Sequence, residues 1–355
     1  MVAIVSGNGL GFLNGSAATL GQAGLFGNAT HGATSAGAYV NAANGNLAVS
    51  ERDAWLASVG VNVALTRTYN SQGNYGDANG RNWKAGPVKM LALNGLLNSA
   101  GSSVTRIDAD GSSQLYDWDS AAGSYRSTDG GGAHDTLQRD ASGWTWLGDA
   151  RDRKGVYERY DSLGRIVSSG AVDTDRIRYS YNDASQLATV TDASGDVTTY
   201  EYQSGKLARI RTSKSDGTSA VRTHYEYDNL NRLTAVTIDM TPEDGSIADG
   251  NVYRTSYEYW NSSSQLKRVR QSDNSELNFT YDAQGRVASA GDALGQTTRF
   301  DYSVAGRTTV TDPTGNRITY GYDGKGQLTS TTSQGAGGVE LVTTYDYDSA
   351  GNLTR

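Results

Sequence analysis

The sequence predicts an all-β protein built from repeated antiparallel hairpins, and three observations lead to this class. A Tyr, in most units preceded two positions earlier by another aromatic residue, recurs from residue 157 onward at spacings of 21, 21, 25, 32, 22, 21, 20 and 25 residues. Turns of the form Asp-x-x-Gly separate the aromatic pairs, with the residue preferences of type I turns. The chain of 355 residues contains 44 Gly and 22 Tyr, which is typical of short strands joined by tight turns.

The composition also excludes several classes of protein. A net charge of −7 argues against nucleic acid as the main partner. The chain has no Cys, so it forms neither disulfides nor thiolate metal sites, and its three His (His31, His134 and His224) are far apart. No apolar run reaches the roughly 18 residues of a membrane-spanning helix. We therefore predict no metal, no cofactor, no nucleic-acid partner and no membrane span.

The first predicted region, residues 1–38, is an uncharged leader rich in Gly and Ala. No charged residue precedes Glu51, and the apolar run Val2–Val5 is too short and lacks the basic flank of a Sec signal peptide. Three interpretations stay open: a flexible leader, a strip that lies against a sheet or inside a hollow, and a leader recognised by a secretion machine.

The second predicted region, residues 39–156, is a meander of short strands. Residues 61–69 alternate in character, with Leu65, Arg67 and Tyr69 on one side, as a strand requires. Asp110-Gly111 and other Gly-containing turns separate further short runs such as Trp144–Leu147. We interpret Asp108–Gly111 as a hairpin turn, since the third acidic ligand and the bidentate Glu of a calcium loop are missing.

The third predicted region, residues 157–355, is an array of about nine hairpins, the last of them incomplete. The spacing of two turns per unit leaves two short strands, so one repeat is one hairpin. The repeat tyrosines are Tyr160, Tyr181, Tyr202, Tyr227, Tyr259, Tyr281, Tyr302, Tyr322 and Tyr347. The turn residues are Asp161, Gly164, Asp192, Gly195, Asp228, Asp282, Gly285, Asp292, Gly295, Asp312, Gly315, Asp323, Gly326, Asp348 and Gly351.

Arginine follows the first turn in several units, as at Arg165, Arg232 and Arg286. We expect these side chains to stack on a neighbouring Tyr ring or to pair with a turn Asp. The final unit, residues 345–355, ends after one turn, and an unpaired edge is a feature that natural sheets avoid. The chain is therefore expected to be the N-terminal fragment of a longer protein.

The repeat resembles the YD repeat of the Rhs family, whose relatives include the C component of bacterial toxin complexes and the teneurins. The motif stands here as Tyr281-Asp-Ala-Gln-Gly-Arg-Val287 followed by Asp292-Ala-Leu-Gly-Gln-Thr-Thr-Arg-Phe-Asp-Tyr302, and the likeness extends over residues 39–355. The resemblance implies a sheet that spirals into a shell, which encloses a C-terminal toxic domain in toxin members and serves adhesion in animal members. Neither an aspartyl self-cleavage core nor a candidate toxin domain is recognisable in this sequence.

No catalytic residue is predicted. The rows of carboxylates could suggest a glycosidase, but they recur at every turn and are explained by turn formation. The sequence also lacks the common hydrolase and phosphate-loop motifs. Trp144, Trp146 and Trp260 could stack on sugar rings, although packing within a sheet is the simpler expectation.

The leading functional hypothesis is a non-enzymatic scaffold that forms part of a secreted or surface shell and encloses or presents a toxin or effector. Its partners would then be the rest of its own chain or the enclosed effector. The alternative is an extracellular adhesin or self-assembling fibre that binds a cell-surface glycan, a surface protein or another copy of itself. In both cases we expect a secreted or cell-surface location without a recognisable Sec signal.

Overall fold

The protein is all-β, as predicted. The computed structural model describes residues 2–33, 36–56, 63–127, 134–148, 156–171 and 176–355, so Val61 and Asn62 of the predicted alternating run lie outside the described residues. The helical elements in this part are α1 (Ser16–Leu20) and three 3₁₀ turns (Gly21–Gly24, Pro242–Asp244 and Ala336–Gly338). No helix in the described ranges is long and apolar enough to cross a membrane.

The N-terminal part forms a six-stranded sheet and a small two-stranded ribbon. The strands are β1 (Ala3–Val5), β2 (Thr30–His31), β3 (Ala36–Asn41), β4 (Leu47–Leu56), β5 (Val63–Asn70), β6 (Gly76–Asp77), β7 (Gly80–Arg81) and β8 (Trp83–Ala85). The sheet has the order β1-β3-β4-β5-β8, with β2 on β3, and the ribbon pairs β6 with β7. Strand β1 of the uncharged segment pairs in parallel with β3, so this segment is a packed part of the sheet.

The remaining strands form one antiparallel sheet of 23 strands in chain order. Its first part comprises β9 (Met90–Asn94), β10 (Ser103–Ile107), β11 (Ser113–Asp119), β12 (Ser124–Arg126), β13 (Thr136–Arg139), β14 (Trp144–Leu147), β15 (Val156–Tyr160), β16 (Ile166–Ala171), β17 (Ile177–Tyr181), β18 (Leu187–Thr191), β19 (Val197–Gln203) and β20 (Lys206–Ser213). The second part comprises β21 (Ser219–Tyr227), β22 (Leu233–Asp239), β23 (Val252–Tyr259), β24 (Leu266–Gln271), β25 (Glu276–Tyr281), β26 (Val287–Asp292), β27 (Thr297–Asp301), β28 (Arg307–Thr311), β29 (Arg317–Tyr322), β30 (Leu328–Gln334) and β31 (Glu340–Thr344). The long sheet thus begins well before residue 157.

The long sheet winds back onto itself at its first strand. The outer edge of β9 meets the start of β16, where the Leu91 amide donates to the Gly164 carbonyl over 2.8 Å. The Ile166 amide donates in turn to the Lys89 carbonyl over 3.3 Å, and Met90 bridges Arg165. Strands β9 to β16 therefore complete one turn of a wound sheet, from which the later repeats continue.

A β-bulge interrupts the register directly before the repeat Tyr in most of the hairpins. In the hairpin of β25 and β26 the shift falls between Thr280 and Tyr281. The same shift precedes Tyr160, Tyr181, Tyr202, Tyr227, Tyr259 and Tyr322. A bulge bends the strand and increases its twist, so a bulge at the same place in successive hairpins gives the sheet a consistent curvature.

Candidate functional site

An Asp side chain holds eight turns of the described array, and five of these turns directly follow a repeat Tyr. One carboxylate oxygen of Asp282 accepts hydrogen bonds from the amides of Gln284 and Arg286, both over 2.9 Å, and Gly285 has φ of 77°. The same pair of amide bonds is made by Asp161, Asp192, Asp228, Asp292, Asp312, Asp323 and Asp348. The predicted glycines Gly164, Gly195, Gly295, Gly315, Gly326 and Gly351 also have positive φ.

The Arg after the turn makes two contacts simultaneously: it pairs with the turn Asp and stacks on the next repeat Tyr. Arg286 Nε lies 2.7 Å from an Asp282 carboxylate oxygen, and its guanidinium carbon lies 4.4 Å from the centroid of the Tyr302 ring. Equivalent contacts join Asp161, Arg165 and Tyr181, and also Asp228, Arg232 and Tyr259. Each such Arg therefore connects its own turn to the following hairpin.

Six of the nine repeat tyrosines donate a hydrogen bond to a main-chain carbonyl on the preceding hairpin. The pairs are Tyr181 to Ile166, Tyr202 to Leu187, Tyr259 to Leu233, Tyr281 to Leu266, Tyr302 to Val287 and Tyr347 to Leu328. Tyr160 bonds Glu158 instead, Tyr227 lies 3.4 Å from the Ala78 carbonyl, and Tyr322 is half-buried on β29. Burial raises the pKa of Tyr302, so its phenol stays protonated and able to donate.

The carboxylates of these turns are engaged in structural bonds. Desolvation alone would raise the pKa of Asp282, but hydrogen bonds from the Arg286 backbone and side chain outweigh it and lower the pKa. The pKa of Asp228 is lowered in the same way by Arg232. Carboxylates with lowered pKa values stay ionised and are poor general acids at neutral pH.

The described residues between 2 and 91, which we call the N-terminal brace, run along the row of repeat turns in reverse order. Backbone or hydroxyl contacts join Leu91 to Gly164, Ala78 to Leu207, Tyr69 to Leu266, Gly45 to Val287 and Ser6 to Gly326. Three of them satisfy the amide of the residue that pairs with a repeat Tyr beside the register shift, namely Leu207, Leu266 and Val287. The brace thus contacts turns that are far apart in sequence and fixes them relative to one another.

A buried ionic cluster joins the brace to the repeats. Arg67 on β5 pairs with Glu51 and Asp53 on β4, and donates to the Tyr257 hydroxyl over 2.6 Å. The Tyr225 hydroxyl donates to Asp53 over 2.6 Å. Desolvation raises the pKa of both carboxyls despite the attraction of Arg67. The sequence placed Arg67 on the same side of a strand as Leu65 and Tyr69, but no pattern pointed to partners on other strands.

A second ionic cluster lies within the first turn of the long sheet. Arg106 on β10 binds Glu158 on β15 through two nitrogens, both over 2.9 Å, and stacks on Trp146 at 4.4 Å from the ring centroid. Lys89 adds a 2.6 Å bond to Glu158. Desolvation would raise the pKa of Glu158, but Arg106 and Lys89 outweigh it and lower the pKa.

The tryptophans considered for sugar stacking pack against the sheet or form hydrogen bonds within it. Trp144 and Trp146 are buried, and the Trp146 indole donates to the Tyr116 hydroxyl over 2.9 Å. Trp260 is 36% exposed, and its indole donates to the Phe279 carbonyl. Among the described residues no group of three or more His, Asp or Glu is arranged to hold a metal ion.

Comparison with protein families identifies the class. A family model described as RHS Repeat matches residues 160–197, 281–310 and 302–340, and a model described as a domain of unknown function (DUF6531) matches residues 37–116. The first set of matches falls on the hairpins whose Asp, Arg and Tyr contacts are described above. The matched hairpins are therefore RHS repeats, and over these residues the chain is similar to Rhs/YD-repeat proteins.

The chain spans only a small part of the length of the following relatives. A protein named "Probable deoxyribonuclease RhsB" from Dickeya dadantii (strain 3937) is 33% identical over 117 residues, which is 32% of this chain and 8% of the relative. The crystal structure of TcdB2-TccC3 without its hypervariable C-terminal region aligns with a TM-score of 0.40 and 14% identity, over 88% of this chain and 16% of that one. The Photorhabdus luminescens Tc holotoxin pore aligns with a TM-score of 0.35 and 12% identity, over 87% and 21%.

Proposed function

We propose that this chain is a non-catalytic, shell-forming part of a longer Rhs protein, and that it encloses or presents a toxic effector carried by the same polypeptide. The protein acts outside the cell that makes it, as a secreted or surface component. The relative named as a deoxyribonuclease, of which this chain matches 8%, supports an effector elsewhere in the longer protein.

The observation that carries the proposal is the way the brace fixes the winding of the long sheet. The sheet returns onto its own first strand at Gly164, and the brace then contacts further hairpins as far as Gly326. A curved sheet keeps one shape over a long distance when its repeats are bonded to each other and to the N-terminal brace. A fixed curved wall is what an enclosing scaffold requires.

The chemistry of the repeat favours a scaffold over an enzyme. The carboxylates of the turns bind backbone amides and Arg side chains, so they are committed to holding the hairpins. Glycoside hydrolysis needs two carboxyl groups facing a cleft, one of them with a raised pKa. Among the described residues, the carboxyls whose pKa is raised by burial are Glu51 and Asp53, and both are enclosed by Arg67 and Tyr257.

Protease protection of the complete gene product tests the proposal. We expect the region that follows residue 355 in the full-length protein to resist added protease while the shell is intact. Gly164→Val places a side chain against the Leu91 carbonyl, at 2.2 Å for the β-carbon, and should expose that region to cleavage. Gly195→Val is the matched control, because Gly195 has a similar positive φ but open space around it. Rapid cleavage of the downstream region in the unmodified protein, at the rate seen in Gly164→Val, would reject enclosure.

One observation favours the alternative of a self-associating fibre or adhesin. The apolar side chains of Leu341 and Val342 on β31 are both 57% exposed, and Val339 beside them is 63% exposed. Exposed apolar residues on a strand favour association with another chain. Sedimentation of the protein and of Leu341→Lys over a range of concentrations separates the two: fibres that disappear in Leu341→Lys support self-association, and a monomer at every concentration rejects it.

A further inference from the structure

A cavity of 480 Å³ lies where the start of the N-terminal brace meets the first and the last strands of the long sheet. The brace contributes Asn8, strands β10 and β11 contribute Thr105 and Asp117, and the last hairpins contribute Gln327 and Tyr347. The volume falls within the roughly 300–1,000 Å³ range of small-molecule sites. Because the three parts are far apart in sequence, the winding of the sheet creates this cavity.

Direct hydrogen bonds hold the walls of this cavity in place. The Ser6 hydroxyl donates to the Gly326 carbonyl over 2.9 Å, which fixes the brace against the last repeats. The Tyr347 hydroxyl donates to the Leu328 carbonyl over 2.8 Å, which fixes the aromatic ring of the lining. A ligand therefore meets walls that are already ordered, so its binding adds little cost for ordering side chains.

One face of β10 and β11 presents accessible polar groups to the cavity. Ser113, Leu115 and Asp117 alternate with buried residues of β11, so their side chains share one face, and Thr105 of β10 pairs with Leu115. Ser113 and Asp117 are exposed and Thr105 is half-buried, so all three side chains can contact an occupant. None of these three side chains makes a hydrogen bond or ion pair within the described part of the chain. The fold thus leaves their donors and acceptors unused.

The chemistry of the lining fits a neutral ligand that carries many hydroxyls. Most of the lining side chains have a hydroxyl or an amide, and the described lining contains one acid, Asp117, and one base, Lys325. A carboxylate accepts from two neighbouring hydroxyls, while hydroxyl and amide groups both donate and accept. The Tyr347 ring and Leu115, which is 52% exposed, offer apolar surface to the C–H face of a ligand ring. An apolar ligand would instead leave the polar groups without partners, which costs free energy.

We propose that this cavity binds a neutral disaccharide. Asp117 and Thr105 bond hydroxyls of the sugar, and Tyr347 packs against the C–H face of one sugar ring. The occupant contacts the brace, the first strands and the last hairpins together. The site does not depend on what the shell encloses, so it stands apart from the proposed function.

Isothermal titration calorimetry of the 355-residue chain with cellobiose tests this site. Cellobiose is neutral, and its equatorial hydroxyls leave flat C–H faces on both rings. We expect saturable 1:1 binding with a Kd of about 1 mM or tighter, as ligand efficiency indicates for a molecule of this size. Sorbitol carries the same hydroxyls without a ring, so it should bind at least about tenfold more weakly. Absence of saturable cellobiose binding, or equal binding of both compounds, overturns the proposal.

Two pairs of variants locate the binding site. Asp117→Ala should weaken cellobiose binding about tenfold and Thr105→Val about three- to tenfold, because each removes hydrogen bonds to the sugar. Asp183→Ala is the control for Asp117→Ala, because Asp183 is also exposed but does not line this cavity. Thr145→Val is the control for Thr105→Val, because Thr145 is also half-buried on a strand of the first turn but lies outside the lining. Cellobiose affinity that falls equally in a variant and its control places binding elsewhere and rejects the assignment.

Discussion

Tyr302 donates a hydrogen bond from its phenol to the main-chain carbonyl of Val287, 2.9 Å away on the preceding hairpin. The same Tyr ring lies under the guanidinium of Arg286, which is paired with the Asp282 carboxylate. Two neighbouring hairpins are thus joined by a phenol and by an Arg. Because the contact recurs along the array, it explains why Tyr outnumbers Phe 22 to 4: a Phe would pack equally well but could not donate.

Removing this phenol should weaken the connection between two hairpins. We expect Tyr302→Phe to lower the free energy of unfolding by about 1 kcal/mol, because the Val287 carbonyl loses its donor. The control is Tyr320→Phe, which removes a buried hydroxyl that has no described partner and should be neutral or slightly stabilising. Urea unfolding of both variants measures the difference, and equal values for the two would show that the phenol bond contributes nothing.

The turn carboxylate should show a graded response to substitution. Asn182 occupies the Asp position in its own turn and accepts the Gln186 amide over 2.9 Å, so an amide oxygen can replace a carboxylate there. Asp282→Asn should therefore keep the backbone bonds and lose only the pairing with Arg286, whereas Asp282→Ala loses both. We expect a loss of about 0.5 kcal/mol for Asn and about 1–2 kcal/mol for Ala in urea unfolding.

The pH dependence of Asp282 has a definite sign. Its pKa is lowered in the folded chain, so its contribution to stability is present above the unfolded pKa and is lost as the pH falls through the folded value. The difference in stability between the unmodified chain and Asp282→Asn should thus shrink on acidification below pH 3.8, the ordinary Asp value. A difference that grows on acidification would contradict this assignment.

Local sequence signals were enough to predict the hairpin array. The Asp-x-x-Gly turns and the spacing of residues such as Tyr281 and Tyr302 depend on contacts within about 20 residues, and these contacts leave a visible period. The expected choice for Arg286, stacking or pairing, is resolved by the structure as both. The division of the chain into three regions stays a prediction, while the observed sheets extend across residues 38 and 156.

The contacts of the brace could not be read from local signals. Arg67 meets Tyr257, 190 residues away, and the parallel pairing of β1 with β3 has no sequence period. A buried partner at such a distance is specified by the global fold, and alternation along one strand shows only that a residue points inward. The cavity lined by Thr105 and Tyr347 is equally invisible in the sequence, since it forms where distant parts of the chain meet.

The buried cluster around Arg67 should lose stability as the pH rises, whereas the turn carboxylate Asp282 loses its contribution as the pH falls. Desolvation raises the pKa of Glu51 in the folded chain, so its contribution to stability is full below the unfolded pKa of 4.5 and declines as the pH rises through the folded value. Glu51→Gln cannot ionise. The unfolding free energy of Glu51→Gln, relative to that of the unmodified chain, should therefore increase as the pH rises from 4.5. The slope of this increase should approach about 1.4 kcal/mol per pH unit.

Urea unfolding at a series of pH values measures this gain. Tyr225 and Tyr257 also face the cluster, but burial raises the pKa of both, so they stay neutral in both proteins. Asp53 repels the ionised Glu51, so the measured gain includes the change in Asp53 titration. Glu243→Gln, in an exposed 3₁₀ turn, is the control for the change of net charge. A gain of the same size in Glu243→Gln would assign the effect to net charge and not to burial.

The contact between β9 and the start of β16, where the long sheet returns onto its first strand, should depend on the absence of a side chain at Gly164. Both Gly164 and Gly195 have positive φ, 77° and 88°, so Ala at either position should cost about 1 kcal/mol in backbone strain. At Gly195 the β-carbon meets open space, but at Gly164 it would lie 2.2 Å from the Leu91 carbonyl oxygen. Gly164→Ala should therefore lose at least about twice as much stability as Gly195→Ala, because β9 must also move.

Hydrogen exchange locates the effect: the Leu91 amide, bonded to the Gly164 carbonyl over 2.8 Å, should exchange faster in Gly164→Ala and be unchanged in Gly195→Ala. Unchanged protection of Leu91 in both variants would mean that the winding of the sheet does not depend on the contact between β9 and the start of β16.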